Sequence, residues 1–584
     1  MSEIPFVGCR HIALRFTLLG GVCALASCSN PFGPAPGDYG RVVPVERLRT
    51  IATLSLDDTI AERLADEEPA LSDEELKEGV PNPFEGYDTL EISIEQCRAW
   101  ALENNLDLQV ALIDPTIANE QLSGEEAKFE ATFTSDVRFQ KINEPTASTL
   151  SNNEADFLSF TPGVTIPLRT GGTVTVNLPF NRTQTNNVFS TLNPSFTSDA
   201  QFSISQPLLR NAGRRANTHS IRIQALESQI ADAQTKLEVI RQLADVDRAY
   251  WFLYAVQRQL EVAQEQYELA VEQLERAERR IRAQVIAEVE VVRAQDGVAS
   301  RLEDIIIAQN NVSLRQRNLK RLINVDGLDI GSKISFVLTS QPDPVRFTLD
   351  SQELASAAIA NRMEMLEFEL RIAQDYSTID FEKNQALPNF VLDYQYAPQG
   401  LGSSYTDSLK LLKRNSFTNW QIGANIQIPL GNEAAKSRVH VAILRRLQRL
   451  ASKASRALSI RQEVFDAIDD LNAGWQRILA SRQATILAAR TLQAEQNQFD
   501  VGVRTSTDVL DAATRLADAQ TSEIVALTNY QISQVDLAFA TGTLLGQAKV
   551  DWEPRDPRTS KDFAGQQRES VQLSPPDVPV PDEN

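Results

Sequence analysis

Asp508 and Asp511 stand three residues apart in the run Phe499-Asp500-Val501-Gly502-Val503-Arg504-Thr505-Ser506-Thr507-Asp508-Val509-Leu510-Asp511-Ala512. On a helix that spacing puts both carboxylates on one face. An acidic pair of this kind is usually solvated surface. Held close to other carboxylates, it attracts cations, and the like charges raise one another's pKa. Gly502 can take positive φ and turn the chain between two antiparallel helices, as glycine does in many plain helix–helix turns. Elsewhere the chemistry thins out. His219 and His440 have no cysteine or carboxylate companions at ligand spacing and read as structural, while Trp251, Trp420 and Trp475 read as packing or interfacial residues. No Gly-rich phosphate cradle, nucleophile elbow or metal motif occurs, so neither an enzyme nor a cofactor is expected.

The 584 residues give a soft prior of three or four domains. Lys+Arg 57 against Asp+Glu 78 leaves −21, which argues against a nucleic-acid partner. The acid is uneven. Residues 54–88 hold twelve Asp/Glu against Arg63 and Lys77, and residues 551–584 hold eight against four bases, ending in a Pro-rich stretch. Both flanks, taken as 28–87 and 551–584, are expected to be solvated and poorly ordered.

At the N-terminus, Arg10 and Arg15 precede an apolar run from Phe16 to Ala26 that is too short to span a bilayer, the pattern of a secretory signal. It ends in Leu25-Ala26-Ser27-Cys28, which resembles the lipobox of bacterial lipoproteins. The resemblance implies that residues 1–27 are removed and that the Cys28 thiol is acylated. A plain signal peptide ending this way by chance is the alternative. Ser29 follows where an aspartate often marks inner-membrane retention in that class, so the resemblance favours the outer membrane. Cys97 then remains the one free thiol.

No proline lies between Pro207 and Pro342 or between Pro429 and Pro554. Leu253, Val256, Leu260, Ala263, Tyr267, Ala270, Leu274, Ala277 and Ile281 form a heptad seam, and Val464, Ile468, Leu471, Trp475 and Ile478 begin a second. Helices of about 70 residues, roughly 105 Å long, need partners along their whole length. Ahead of each lie alternating segments: residues 133–139, 173–180 and 200–205 in one half, 389–397 and 419–428 in the other. Strands polar on one face and apolar on the other suit a water-lined membrane barrel and a soluble antiparallel sheet equally. The halves align: Gln206-Pro207-Leu208 with Gln427-Ile428-Pro429-Leu430, and Leu102-Glu103-Asn104-Asn105 with Ile359-Ala360-Asn361-Arg362. Residues 88–330 and 331–550 read as two copies of one unit of short helices, strands and a long helix pair.

The Val501-Gly502-Val503-Arg504 turn followed by Asp508-Val509-Leu510-Asp511-Ala512, with the run from Leu90 to Asn105 and the Gln206-Pro207-Leu208 joint, is similar to the TolC family of bacterial outer-membrane efflux proteins. The resemblance covers about residues 88–549. It implies a mainly α fold with a membrane β-barrel part: a homotrimer with an α-helical tunnel in the periplasm and a shared transmembrane barrel. It also implies a passive exit duct of a tripartite efflux or type I secretion system, held in outer-membrane lipid and driven by an inner-membrane pump. Val501, Gly502, Val503 and Arg504 would be the tip that a periplasmic adaptor contacts. Asp508 and Asp511 would form stacked acidic rings at a gate, with an Arg504–Glu290 link holding it closed. The first-half tip, Ala283-Gln284-Val285-Ile286, lacks the glycine. Phe499 and Val289 replace hydroxyl residues common in the family, which predicts a weaker latch. Up to four strand candidates in the first half against two in the second leave open whether the hairpin at residues 164–180 joins the barrel. A coiled-coil envelope lipoprotein without a pore is the alternative, although a spacer needs neither strands nor tip.

Overall fold

A computed structural model describes residues 72–146, 152–283 and 288–550. Residues 1–27, Cys28, most of the first-half tip and the tail 551–584 lie outside them. The first half runs through α1 (Asp73–Glu78), β1 (Asp88–Ile92), α2 (Ile94–Asn104), α3 (Leu106–Ala111), α4 (Asp114–Glu126), β2 (Thr132–Asn143), β3 (Glu154–Pro167), β4 (Thr173–Asn177), β5 (Phe180–Thr185), β6 (Ser195–Asp199), β7 (Gln201–Pro207), α5 (Arg214–Asn217), α6 (His219–Arg282) and α7 (Val289–Ile323). The second has β8 (Ile334–Leu338), α8 (Ser351–Asn361), α9 (Met363–Gln385), β9 (Asn389–Gly402), α10 (Tyr405–Arg414), β10 (Thr418–Gln427), α11 (Glu433–Asp500), α12 (Ser506–Thr541) and α13 (Leu544–Gln547). No helix among the described residues is long and apolar enough to cross a membrane.

The proline-free stretches are the long helices. α6 has 64 residues and α11 has 68, about 96 and 102 Å at 1.5 Å per residue. Each changes partners along its length. Ala270, Leu274 and Ala277 of α6 pack on Ala294 and Val298 of α7. Towards the start of α6, Ser228 bonds Asn119 of α4 at 2.7 Å, and His219 bonds Ser377 of α9 at 3.0 Å and stacks on Phe381. Those contacts seat His219 between α6 and α9. α11 similarly meets α9 through Arg449–Asp375 at 2.5 Å, then α8, then α12. The aligned Asn105 and Arg362 are matching elbows: each caps one helix and opens the next, with φ/ψ of −64/122° and −72/133°.

At mid-length, β1 and β8 pair in parallel. Their side chains join Cys97, Tyr250, Leu253, Leu319 and Ile323 in the largest buried cluster. Asp247 of α6 is fully buried beside it and takes two bonds from the Arg98 guanidinium, at 2.7 and 2.8 Å. Burial pushes its carboxyl above the ordinary value against the pull of Arg98. The described part of the acidic segment, residues 72–87, is not loose as expected. Leu76 packs against the α6–α7 pair, Tyr267 Oη donates to the Leu76 carbonyl at 2.6 Å, and Lys77 pairs with Glu278. Two apolar and ionic anchors on one short helix suffice to dock it.

The remaining eight strand segments form one antiparallel sheet. They amount to six continuous strands, because β4 runs into β5 across Leu178-Pro179 and β6 into β7 across Ala200. β3 pairs with both β4 and β5, β9 with both β6 and β7, and β2 and β10 are the two edges. The hairpin about Gly171-Gly172 therefore belongs to the sheet. Register places Val137, Phe160, Val176, Phe202, Tyr394 and Ile422 on one face. Asp136, Thr161, Thr175, Ser203, Gln395 and Gln421 lie on the other. At one end α10 lies on the apolar face, over Gly400 and Gly402. A Cβ on Gly400 would sit 2.0 Å from the Ser408 carbonyl, so only glycine lets this helix approach.

Replacing Asp247 by Ala strands a buried guanidinium, and we expect a loss of about 3–5 kcal/mol. The reading is a lower unfolding midpoint by circular dichroism. An Asp247→Leu/Arg98→Leu double variant should recover most of it; an unchanged midpoint in the single variant refutes the role.

Candidate functional site

α11 and α12 meet at a five-residue turn, Val501–Thr505. Gly502 has φ +82°, and no atom of the described residues lies within 4 Å of where its Cβ would be, so the glycine is required by the backbone. The turn leaves Val501 and Val503 75% and 73% exposed, two apolar side chains held at the end of a rigid hairpin. Thr505 then opens α12 with a reciprocal cap. Asp508 N donates to Thr505 Oγ1 at 3.4 Å, while Thr505 N and Oγ1 each donate to Asp508 Oδ2 at 2.9 Å. The backbone N–H first, and then the hydroxyl, hold the Asp508 carboxyl below the ordinary carboxylate range.

Within one chain, then, the cap chiefly accounts for the depressed Asp508 carboxyl. Asp511, exposed one turn on, makes no ion pair among the described residues. It lines a cleft of about 310 Å³ between the two long helix pairs, with Arg276, Arg293 and Asp296 on the facing pair.

The structure does not bring Arg504 and Glu290 together. Arg504 lies 3.0 Å from Glu495, 4.0 Å from Asp508, and donates to Gln498 at 3.1 Å, all on its own hairpin. Glu290 accepts from Arg293 at 2.7 Å. Each charge finds a partner within two turns, at a smaller ordering cost than one on the other hairpin.

Among the described residues, one contact between the two hairpins near their ends involves a residue outside the tip motif. Arg280, in the last turn of α6, donates to the carbonyls of Phe499 and Asp500 at 3.1 and 3.2 Å and lies 4.2 Å from the Phe499 ring centre. It thus caps the end of α11, whose final carbonyls carry partial negative charge, and sits on an aromatic face as well. Phe499 is buried among Leu492, Val509 and Ala512. Phe499 thus offers Arg280 both an aromatic face and a backbone acceptor. The basic run Arg279, Arg280, Arg282 beside an aromatic at the opposite tip is the signal that was available. Of the residues that sequence reading assembles here, Val501, Gly502, Val503, Arg504, Asp508 and Asp511 come together at one tip, while Glu290 stands on the neighbouring pair.

The family described as "Outer membrane efflux protein" matches residues 173–325 and 354–543, more than half the chain. The match begins at β4, so the β2–β3 hairpin lies ahead of it. The outer membrane protein TolC of Vibrio cholerae serotype O1 is 28% identical over 315 residues, covering 52% of this chain and 68% of that protein. The outer membrane protein TolC of Escherichia coli K12 is 25% identical over 266 residues, 44% of this chain and only 52% of the relative's length. A membrane protein of Pseudomonas aeruginosa shares the fold, with a TM-score of 0.60 at 15% identity over 80% of this chain and 95% of that one. The long helix pairs, the two-faced sheet and the tip are thus those of a known architecture, and the chain belongs to the outer membrane efflux protein family, the exit ducts of the bacterial outer membrane.

Proposed function

We propose that the chain works as a homotrimer, the passive outer-membrane duct of a tripartite efflux or type I secretion system. One observation carries this reading: a sheet apolar on one face and polar on the other continues into helices of about 100 Å whose second apolar side is bare. Leu444, Leu447, Leu458, Leu479 and Leu487 of α11 and Ile306, Ile307 and Leu314 of α7 remain exposed in the single chain. A trimer buries them and gathers the polar sheet faces around water. The sheet sits in outer-membrane lipid and the helices form the periplasmic tunnel. Cys28, outside the described residues, anchors the chain through its acyl groups. An envelope spacer uses neither the polar sheet face nor the tip, so this alternative is not favoured.

The tip gives the duct its docking and gating parts. Val501, Gly502, Val503 and Arg504 meet the periplasmic adaptor, the two valines supplying apolar contact. An inner-membrane pump supplies the energy. Asp511, repeated in three chains, forms the cation-attracting ring at the constriction. Asp508, committed to its helix cap, holds that helix start in place and adds charge from behind. Arg280 ties the two tips of each chain together in the closed state.

Planar-bilayer recording tests the gate. Wild-type trimers should pass a small cation-selective current, and Asp511→Asn should move its reversal potential towards the unselective value. Arg280→Ala removes about 1–2 kcal/mol from the closed state of each chain, roughly five- to thirtyfold per chain, so the trimer's open-to-closed ratio should rise by at least that factor. No current from folded trimers would leave the spacer as the better reading. For docking, a Val501→Asp/Val503→Asp variant should keep its current and lose copurification with the adaptor. Adaptor retained at wild-type level would move docking away from this tip.

A further inference from the structure

Among the described residues the sheet has two bare edges, and its interior has none. On the apolar face, Phe133, Val137 and Phe139 of β2 and Trp420, Ile422 and Ile426 of β10 are 62–70% exposed. Phe160, Val176, Phe202 and Leu392 on the strands between them are only 39–43% exposed. The edge of β4 and β5 is not available to a neighbour, because β3 pairs with it at five positions on β4 and six on β5. In lipid, unpaired edge amides and carbonyls are prohibitively costly. With six strands in each chain, β2 and β10 run in opposite directions, so joining one to the other keeps every pair antiparallel.

Resting on the trimer reading above, we propose that β2 of one chain pairs with β10 of a second copy of the same chain. Three six-stranded sheets then close one barrel of eighteen strands, with the β2–β3 hairpin built into its wall. Barrels of 16–18 strands leave an open aqueous channel, so the hairpin widens the duct's membrane part.

The chain also contains a template for the junction. Where its two halves meet, β7 lies on β9, Pro207 opposite Val391, and Leu208 N donates to the Phe390 carbonyl at 2.8 Å. The equivalent joint after β10 has no strand beside it among the described residues, and Leu430 is 98% exposed. β9 and β2 each follow a helix and open alike, Asn389-Phe390-Val391-Leu392-Asp393 against Thr132-Phe133-Thr134-Ser135-Asp136. Carrying the Ile204–Tyr394 pair across this correspondence sets Ile426 opposite Val137 of the neighbouring chain. The parity is an independent check: both residues fall on the apolar face of their own sheet, which an error of one residue would not allow.

The test is oxidation of the full-length chain carrying Val137→Cys and Ile426→Cys. Cys97 does not interfere, since it is fully buried with its thiol pushed up to about 12. Most of the protein should shift to a reducible band at three times the chain mass, while each single variant stays at the chain mass. Light scattering of the unoxidised variant, compared with wild type, reports assembly separately. A trimer in which Ile426→Cys links to Val174→Cys or Val176→Cys instead would overturn the proposal, placing the hairpin outside a narrower barrel. A trimer linked by neither pair overturns it too. Monomers from wild type would refute the trimer reading itself.

Discussion

A helix about 100 Å long presents more apolar side chain than one neighbour can cover, and much of this structure follows from that geometry. α6 buries one seam through Ala270, Leu274 and Ala277 against α7. A second row that includes Gln266 and Gln273 is buried as well, and Gln273 reaches Ser506 of α12. The second half supplies what the first cannot. Duplication therefore matters physically: each long pair is the other's lateral partner within the chain, while Leu444, Leu447 and Leu458 on a further side stay bare in the single chain.

The sheet obeys the same demand in a different solvent. Hydrogen bonds replace apolar seams as what must be satisfied laterally, and the described chain leaves one row of them open at each end. Between the two systems lies the mid-length cluster, where Tyr250 accepts from Ser340 N at 2.9 Å and the Asp247–Arg98 pair ties α2 to α6. A charge pair sunk so deeply adds little net stability, but it is unforgiving of misplacement, which suits a point where α2 must seat on α6.

Periodicity made the long helices legible, and with them β2, β4, β7, β9 and β10, since both rest on patterns local to the chain, whereas most of β3 and the segments β5 and β6 went unread. The strand total was less so. Leu178-Pro179 and Ala200 interrupt two strands without ending them, and alternation does not reveal that β3 spans the first gap, accepting from Leu178 N at Pro162. The tip was legible in position and only partly in role. Thr505-Ser506-Thr507-Asp508 has the spacing of a capping box, yet Asp508 is easily read for its charge alone. Arg280 and Phe499 are 219 positions apart, so their contact exists only once both hairpins are folded. Local competition explains Arg504: carboxylate and amide partners on its own hairpin engage it before any distant glutamate.

The exchange of partners along α6 and α11 has a mechanical consequence. The breaks among the shorter helices, at Asn105 and Arg362 and between α7 and α8, occur beside uninterrupted stretches of the long ones. A wall whose joints never pass straight through behaves like staggered masonry: it carries load along its axis while single courses slip. Twist applied at the free end can then be taken up by sliding α7 and α12 over continuous rods, leaving the strands at the far end undisturbed.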